Sequence, residues 1–153
     1  MTPGDFGETT GGEGPNRAPL FVDTNVFLRF LTNDVPEQAA AAEALFRRAA
    51  TGEARLTTNS MVLAELVWVL ESYYHLDRSN VRERVLAVAH MDGLDLPEIE
   101  IVTDAVFAYE ASRVDFVDAY NACWMKQQKL SRVVTFDESH FARLDWVDVE
   151  RIV

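Results

Sequence analysis

Glu65 stands alone in the run Met61-Val-Leu-Ala-Glu-Leu-Val-Trp-Val-Leu70, where the other nine residues are apolar. A helix that is apolar on every side is expected to be buried. A lone buried carboxylate is costly unless it is paired, protonated or bound to a metal. Asp23 closes the apolar run Leu20-Phe-Val22, and Asp137 closes Arg132-Val-Val-Thr-Phe136. Asp115 and Asp118 are three apart on a predicted helix and share a face with Asn121. Each acid also has a plainer reading. Asp23 or Asp137 can cap the helix that follows, Asp115 suits the positive end of a helix dipole, and Glu65 can be a hydrogen-bonded or Arg-paired core residue. Brought to one edge of a sheet, the acids would offer the hard oxygen ligands that Mg²⁺ or Mn²⁺ prefer. Zinc is disfavoured: Cys123 is the single cysteine, and His75, His90 and His140 lack ligand spacing. The histidines are read as surface or supporting residues. A divalent ion held by carboxylates suits phosphodiester hydrolysis, because it acidifies water, polarises the phosphoryl oxygen and offsets charge on the leaving oxygen.

The elements that must position these acids alternate in type. Leu20-Phe21-Val22 reads as a buried strand, followed by a short helix from Val26 to Leu31. Pro36 suits a first helical position, and the alanine-rich stretch runs to Ala50, with Gly52 closing it. Arg55 to Thr58 is a strand candidate. Ser60 is expected to cap a helix from Met61 to about Tyr74, and Ser79 one from Asn80 to about Met91, stopped by Gly93. Ile99 to Val102 reads as a brief strand or extended link, with Thr103 capping a helix to about Arg113. Asp115 opens a helix to about Leu130, and Arg132 to Phe136 is a further strand. Strands joined by helices predict an α/β fold with a mostly parallel sheet and helices on both faces. Ligands in such sheets bind at the carboxyl ends of strands, where Asp23 and Asp137 fall.

Composition sets the bounds. The 153 residues fit one domain, long enough to bury roughly two-thirds of the unfolded surface. At 48% hydrophobic the chain is not globally disordered. One cysteine excludes a disulfide framework. No apolar run approaches the ~18 residues of a membrane span, and no basic-then-apolar leader precedes the body, so the expected compartment is the cytoplasm. Five of the seven glycines and three of the five prolines lie in the first nineteen residues. Residues 1–18 are therefore expected to be a flexible tail, and 19–153 one domain. The net charge of -11 argues against gripping nucleic acid by bulk charge. It does not argue against a substrate bridged through a metal, since Asp23, Glu65, Asp115, Asp118 and Asp137 would carry part of that charge in the site. Of the other acids, Glu37, Glu43, Glu53, Glu83, Asp92, Asp95, Glu98 and Glu100 are expected simply to face solvent.

The segment from Leu20 through Val-Asp-Thr-Asn-Val to Asp34, followed by Pro36-Glu-Gln, resembles the start of a PIN domain, most closely the ribonuclease toxins of VapBC toxin-antitoxin systems. The resemblance continues in Ala64-Glu-Leu-Val-Trp-Val-Leu70, Val114-Asp-Phe-Val-Asp-Ala-Tyr120 and Val133-Val-Thr-Phe-Asp137. It spans essentially residues 19–150. It implies a three-layer α/β/α PIN-like fold and a Mg²⁺- or Mn²⁺-dependent endoribonuclease. Asp23, Glu65, Asp118 and Asp137 would then be the catalytic, metal-holding acids. Asp115 would be an accessory acid, with Asn25 and Thr135 orienting the acids or a water. Val117 and Tyr120 depart from the usual smaller or aliphatic residues. The resemblance further implies an RNA substrate, a VapB-like antitoxin whose tail enters the acidic groove, and a homodimer.

Rival readings are weaker on the residues. A haloacid-dehalogenase-like phosphatase wants a second aspartate where Asn25 stands, and a catalytic lysine, whereas the lysines are Lys126 and Lys129 on a late helix. A receiver domain needs a phosphoacceptor aspartate on a middle strand and a lysine after the last, and neither is evident here. A PIN fold that only binds remains a non-enzymatic alternative. Nine aromatics, from Phe27, Phe30, Trp68, Tyr73 and Tyr74 to Phe107, Tyr109, Tyr120 and Trp124, exceed what one small core easily hides, so some are expected at an interface. Arg47-Arg48, Arg78-Arg82-Arg84 and Lys126-Lys129-Arg132 are candidate phosphate contacts, or ordinary solvated helix faces.

Overall fold

A computed structural model describes residues 18–152. All but the last residue of the expected tail therefore lies outside the described residues. The chain is an α/β protein of the three-layer α/β/α type. In order it forms β1 (Leu20–Phe21), α1 (Thr24–Thr32), α2 (Pro36–Ala50), β2 (Leu56–Thr57), α3 (Ser60–Ser72) and α4 (Arg78–Ala89). Then follow β3 (Leu94–Asp95), α5 (Ile99–Ala111), α6 (Phe116–Gln127), β4 (Arg132–Val134), a 3-10 turn at Phe141–Arg143 and β5 (Asp148–Glu150).

Every strand pairing is parallel: helices cross over between β1, β2 and β3, and a loop with a 3-10 turn joins β4 to β5. β2 lies between β1 and β3, with Leu20 opposite Leu56 and Leu56 opposite Leu94. β4 and β5 form a second ladder, Val133 opposite Val149. The expected central sheet is thus parallel throughout but divided into two ladders of very short strands. β1 pairs only with β2, which leaves Leu20 and Phe21 exposed.

The core lies between the helices and the three-stranded sheet. Leu63, Leu66, Val67 and Leu70 of α3, Val81, Val85 and Val88 of α4, and Val102, Val106 and Tyr109 of α5 are all buried. Burying a side chain of this size stabilises by roughly 1.5–3 kcal/mol. Phe27 of α1 stacks on Phe46 of α2 at 5.6 Å, fixing the first helix pair.

Several local expectations change. Asn59, not Ser60, caps α3: its side-chain oxygen accepts from Val62 N–H at 3.1 Å. Asp77, not Ser79, caps α4 by accepting from Asn80 N–H at 2.8 Å. Ile99–Val102 is helix rather than strand, and Thr103 caps nothing, because α5 begins at Ile99. The reason is periodicity. Ile101, Val102, Ala105, Val106 and Tyr109 form one buried helical stripe, which overrides the strand preference of Ile and Val. The third strand lies earlier, at Leu94–Asp95. Gly93, before it, has φ 79°, and a Cβ there would come 2.3 Å from Ala49 O. Only glycine lets the end of α2 approach this turn so closely.

Candidate active site

The carboxyl end of β1 leads directly to Asp23. Val22 N–H donates to Thr57 O at 2.9 Å, and the buried Thr58 hydroxyl donates to Val22 O at 2.9 Å. The strand is therefore held until the residue before the acid. Asp23 then takes an extended conformation, caps α1 and accepts from Thr24 N–H at 2.8 Å. The capping alternative is realised, yet the carboxylate stays exposed and only one oxygen is used. Thr24 beneath it is 2% exposed, and its hydroxyl has no hydrogen-bond partner among the described residues.

Asp115 is engaged by the backbone. Its Oδ2 accepts from Val117 N–H at 3.1 Å and Asp118 N–H at 3.4 Å, capping α6. One turn in, Asp118 is half-buried, and its Oδ2 lies 2.9 Å from His140 Nδ1. His140 Nδ1 is also 3.3 Å from the Asp115 N–H.

The turn after β4 carries Asp137. Thr135 shapes it: its hydroxyl donates to Asp137 O and accepts from Asp137 N–H, both at 3.1 Å. The Asp137 carboxylate accepts from the Ser139 hydroxyl at 2.8 Å and the Ser139 N–H at 3.2 Å. The Ser139 hydroxyl, then its N–H, hold this carboxyl below the usual carboxylate range, and the charge of His140 adds to the effect. His140 therefore meets the Asp118 carboxylate and the Asp115 backbone N–H, three residues after Asp137 in the chain.

Glu65 and Asn25 lie on α3 and α1. The expectation of a buried Glu65 is corrected: it is exposed, on a face of α3 shared with Met61 and Trp68, 78% and 67% exposed. The apolar run misled because α3 buries one side on the core while Met61 and Trp68 face outward beside the acid. Asn25 lines a cavity of about 380 Å³ between α1 and α2 with Arg29, Gln38 and Leu45.

Among the described residues, no three Asp, Glu, His or Cys side chains stand together as a group able to hold one ion. The chemistry of the donors nevertheless fits a hard divalent cation: Asp23 and Asp137 are exposed carboxylates and Asp118 is partly exposed, all following the carboxyl ends of strands or opening a helix.

Of the histidines expected at the surface or in a supporting role, His140 is the one that meets a site acid, with Nδ1 2.9 Å from Asp118 Oδ2. Glu98 is exposed, as expected, and it also accepts from the Ser60 hydroxyl at 2.6 Å and from the Tyr120 hydroxyl. The Ser60 bond, then Tyr120, lower its pKa. These three residues tie the starts of α3 and α5 to α6, beside a cavity of about 300 Å³ that includes Phe116 and Asn121. No sequence pattern joins residues so far apart.

The basic clusters are largely committed internally. Arg78 donates to the carbonyls of Tyr109 and Val114, both at 2.6 Å, and lies 4.3 Å from the Tyr109 ring centre. Arg82 pairs with Glu110, Arg47 with Glu43 and Arg132 with Glu150. Of the aromatics, Phe27 and Tyr109 are fully buried, whereas Trp68, Tyr73, Phe107 and Trp124 are exposed. No described helix is long and apolar enough to cross a membrane.

The family model for the PIN domain matches residues 20–147. A protein of Aquifex aeolicus (strain VF5) named VapC ribonuclease is 24% identical over 115 residues, covering 75% of this chain and 84% of that protein.

Proposed function

The chain belongs to the PIN-domain family, and from that premise we propose that it is a metal-dependent endoribonuclease, the toxin of a type II toxin-antitoxin pair. The observation that carries this reading is that the matched span, 20–147, contains every proposed acid, Asp23, Glu65, Asp115, Asp118 and Asp137. The similarity to a VapC ribonuclease supports RNA as the substrate.

In this reading Asp23, Glu65, Asp118 and Asp137 hold Mg²⁺ or Mn²⁺, and their convergence on a shared ion is part of the proposal. The ion, when bound, supplies charge for hydrolysis of an RNA phosphodiester by water. The rest is done by the chain. The Thr58–Val22 bond fixes the strand end from which Asp23 projects. Asp115 locks the first turn of α6 and with it the position of Asp118. Thr135 and Ser139 shape the turn of Asp137, and Ser139 lowers the pKa of its carboxyl. Asn25, in the first turn of α1, lines the cavity beside α2 and is kept as an accessory residue. Hydrolysis with departure of the 3′ oxygen leaves 5′-phosphate and 3′-hydroxyl ends.

The partners proposed with this activity are a VapB-like antitoxin and a second copy of the chain in a homodimer, working in the cytoplasm. An antitoxin arginine or lysine would be attracted to the acids, and the exposed Trp68, Tyr73, Phe107 and Trp124 supply the apolar area that interfaces use. A binding-only PIN scaffold is the second reading, favoured by the absence of a closed ion cage among the described residues.

The test is purified protein with total RNA, with and without Mg²⁺ or Mn²⁺. The wild type should cleave only with the ion, and Asp23→Asn should lose at least about 100-fold of that rate. Undiminished cleavage by Asp23→Asn, or in excess chelator, contradicts the nuclease reading, and no cleavage under any condition favours the scaffold.

A further inference from the structure

The contact between α6 and the turn after β4 converges on one side chain, His140. Its Nδ1 lies 2.9 Å from Asp118 Oδ2 and 3.3 Å from the Asp115 N–H. One ring nitrogen cannot donate to the first and accept from the second. An ionised carboxylate is acceptor-only, so an unprotonated Nδ1 facing Asp118 would set two lone pairs against each other. The shorter contact, made to a charged acceptor, is the stronger bond. The Nδ1 hydrogen is therefore assigned toward Asp118, and the Asp115 N–H, which also points at Nδ1, is the weaker of the two contacts.

His140 is itself held firmly. It sits between the Asp137–Ser139 turn and Phe141, which is buried at 6% exposure. Arg143 Nη1 donates to Arg113 O at 2.6 Å, fixing the 3-10 turn to the segment before α6. The imidazole is thus a strut between the two elements that carry Asp118 and Asp137.

We infer that His140 is a positioning residue for the metal site: its Nδ1–H holds Asp118 Oδ2, so that Asp118 Oδ1 is presented to a divalent cation. This rests on the reading of Asp118 as a metal-holding acid. Hydrogen-bond partners that orient metal ligands in this way typically change metal affinity 10- to 100-fold when removed.

The test is Mn²⁺ binding to the full chain, read from the electron paramagnetic resonance signal of the free ion, with thermal unfolding run in parallel. The variants are Asp118→Asn, His140→Ala, His140→Asn and His140→Gln. The Asn amide can place a donor near the position of Nδ1, whereas Gln reaches toward that of Nε2. Expected are a loss of about 10-fold or more in affinity for His140→Ala and His140→Gln, and near wild-type affinity for His140→Asn. If His140→Ala does not fold, the Asn and Gln variants decide. Weakened binding in Asp118→Asn with unchanged affinity in both His140→Ala and His140→Gln overturns the inference and leaves the metal reading intact. No Mn²⁺ binding by the wild type, or none lost in Asp118→Asn, removes the metal role of Asp118 and the inference with it.

Discussion

At the scale of residues, an acid's burial and its usefulness are separate matters. Glu65 stands among apolar neighbours in sequence, yet it is exposed. Asp118, at helical spacing from Asp115, is the acid that His140 meets. Spacing along one helix is local and legible, whereas the histidine that meets Asp118 arrives from a separate turn. Asp34 shows how much a hydrogen-bond set can do at the surface. It accepts from the Tyr74 hydroxyl at 2.6 Å, the Thr32 hydroxyl at 2.9 Å and Arg29 at 2.9 Å. These bonds, Tyr74 foremost, lower its pKa from 3.8 to about 2. A carboxyl whose folded pKa is depressed contributes stability above its unfolded pKa, and loses it as pH falls through the folded value. Tyr74→Phe should therefore be less stable than wild type at pH 7. The difference should narrow between about pH 4 and pH 2, as followed by urea unfolding at several pH values. A gap that is constant down to pH 2 contradicts this role for Asp34.

At the scale of elements, what was legible followed from strong local signals. Pro36 at the start of α2 and Asp115 before α6 both stand where the sequence placed them. Strands of two or three residues carry too little pattern, so β3 and β5 were missed. Ile99–Val102 carries three β-favouring residues, yet it is helical because Ile101 and Val102 belong to the stripe that continues to Tyr109. The Gly93 turn depends on a tertiary approach that no local motif announces. Gly93→Ala would combine a φ of 79° with a backbone clash against Ala49 O and should cost about 2 kcal/mol or more. Gly52→Ala, with φ 82° but open space, should cost only about 1 kcal/mol. Thermal unfolding of the two variants checks the difference, and equal losses would refute the close approach at Gly93.

At the scale of the whole molecule, a net charge of -11 and internally paired arginines give little purchase for non-specific RNA binding. The proposed ion supplies the positive charge that an anionic substrate needs at the acids. That is the central claim, and the chemistry of the cut ends tests it most directly. Wild-type protein and Asp118→Asn are incubated with RNA in Mg²⁺, in Mn²⁺ and in chelator, and the new ends are identified. The account predicts 5′-phosphate and 3′-hydroxyl ends, formed by the wild type only with the ion and lost in Asp118→Asn. Ends bearing 5′-hydroxyl and 2′,3′-cyclic phosphate, formed equally in chelator, would contradict it.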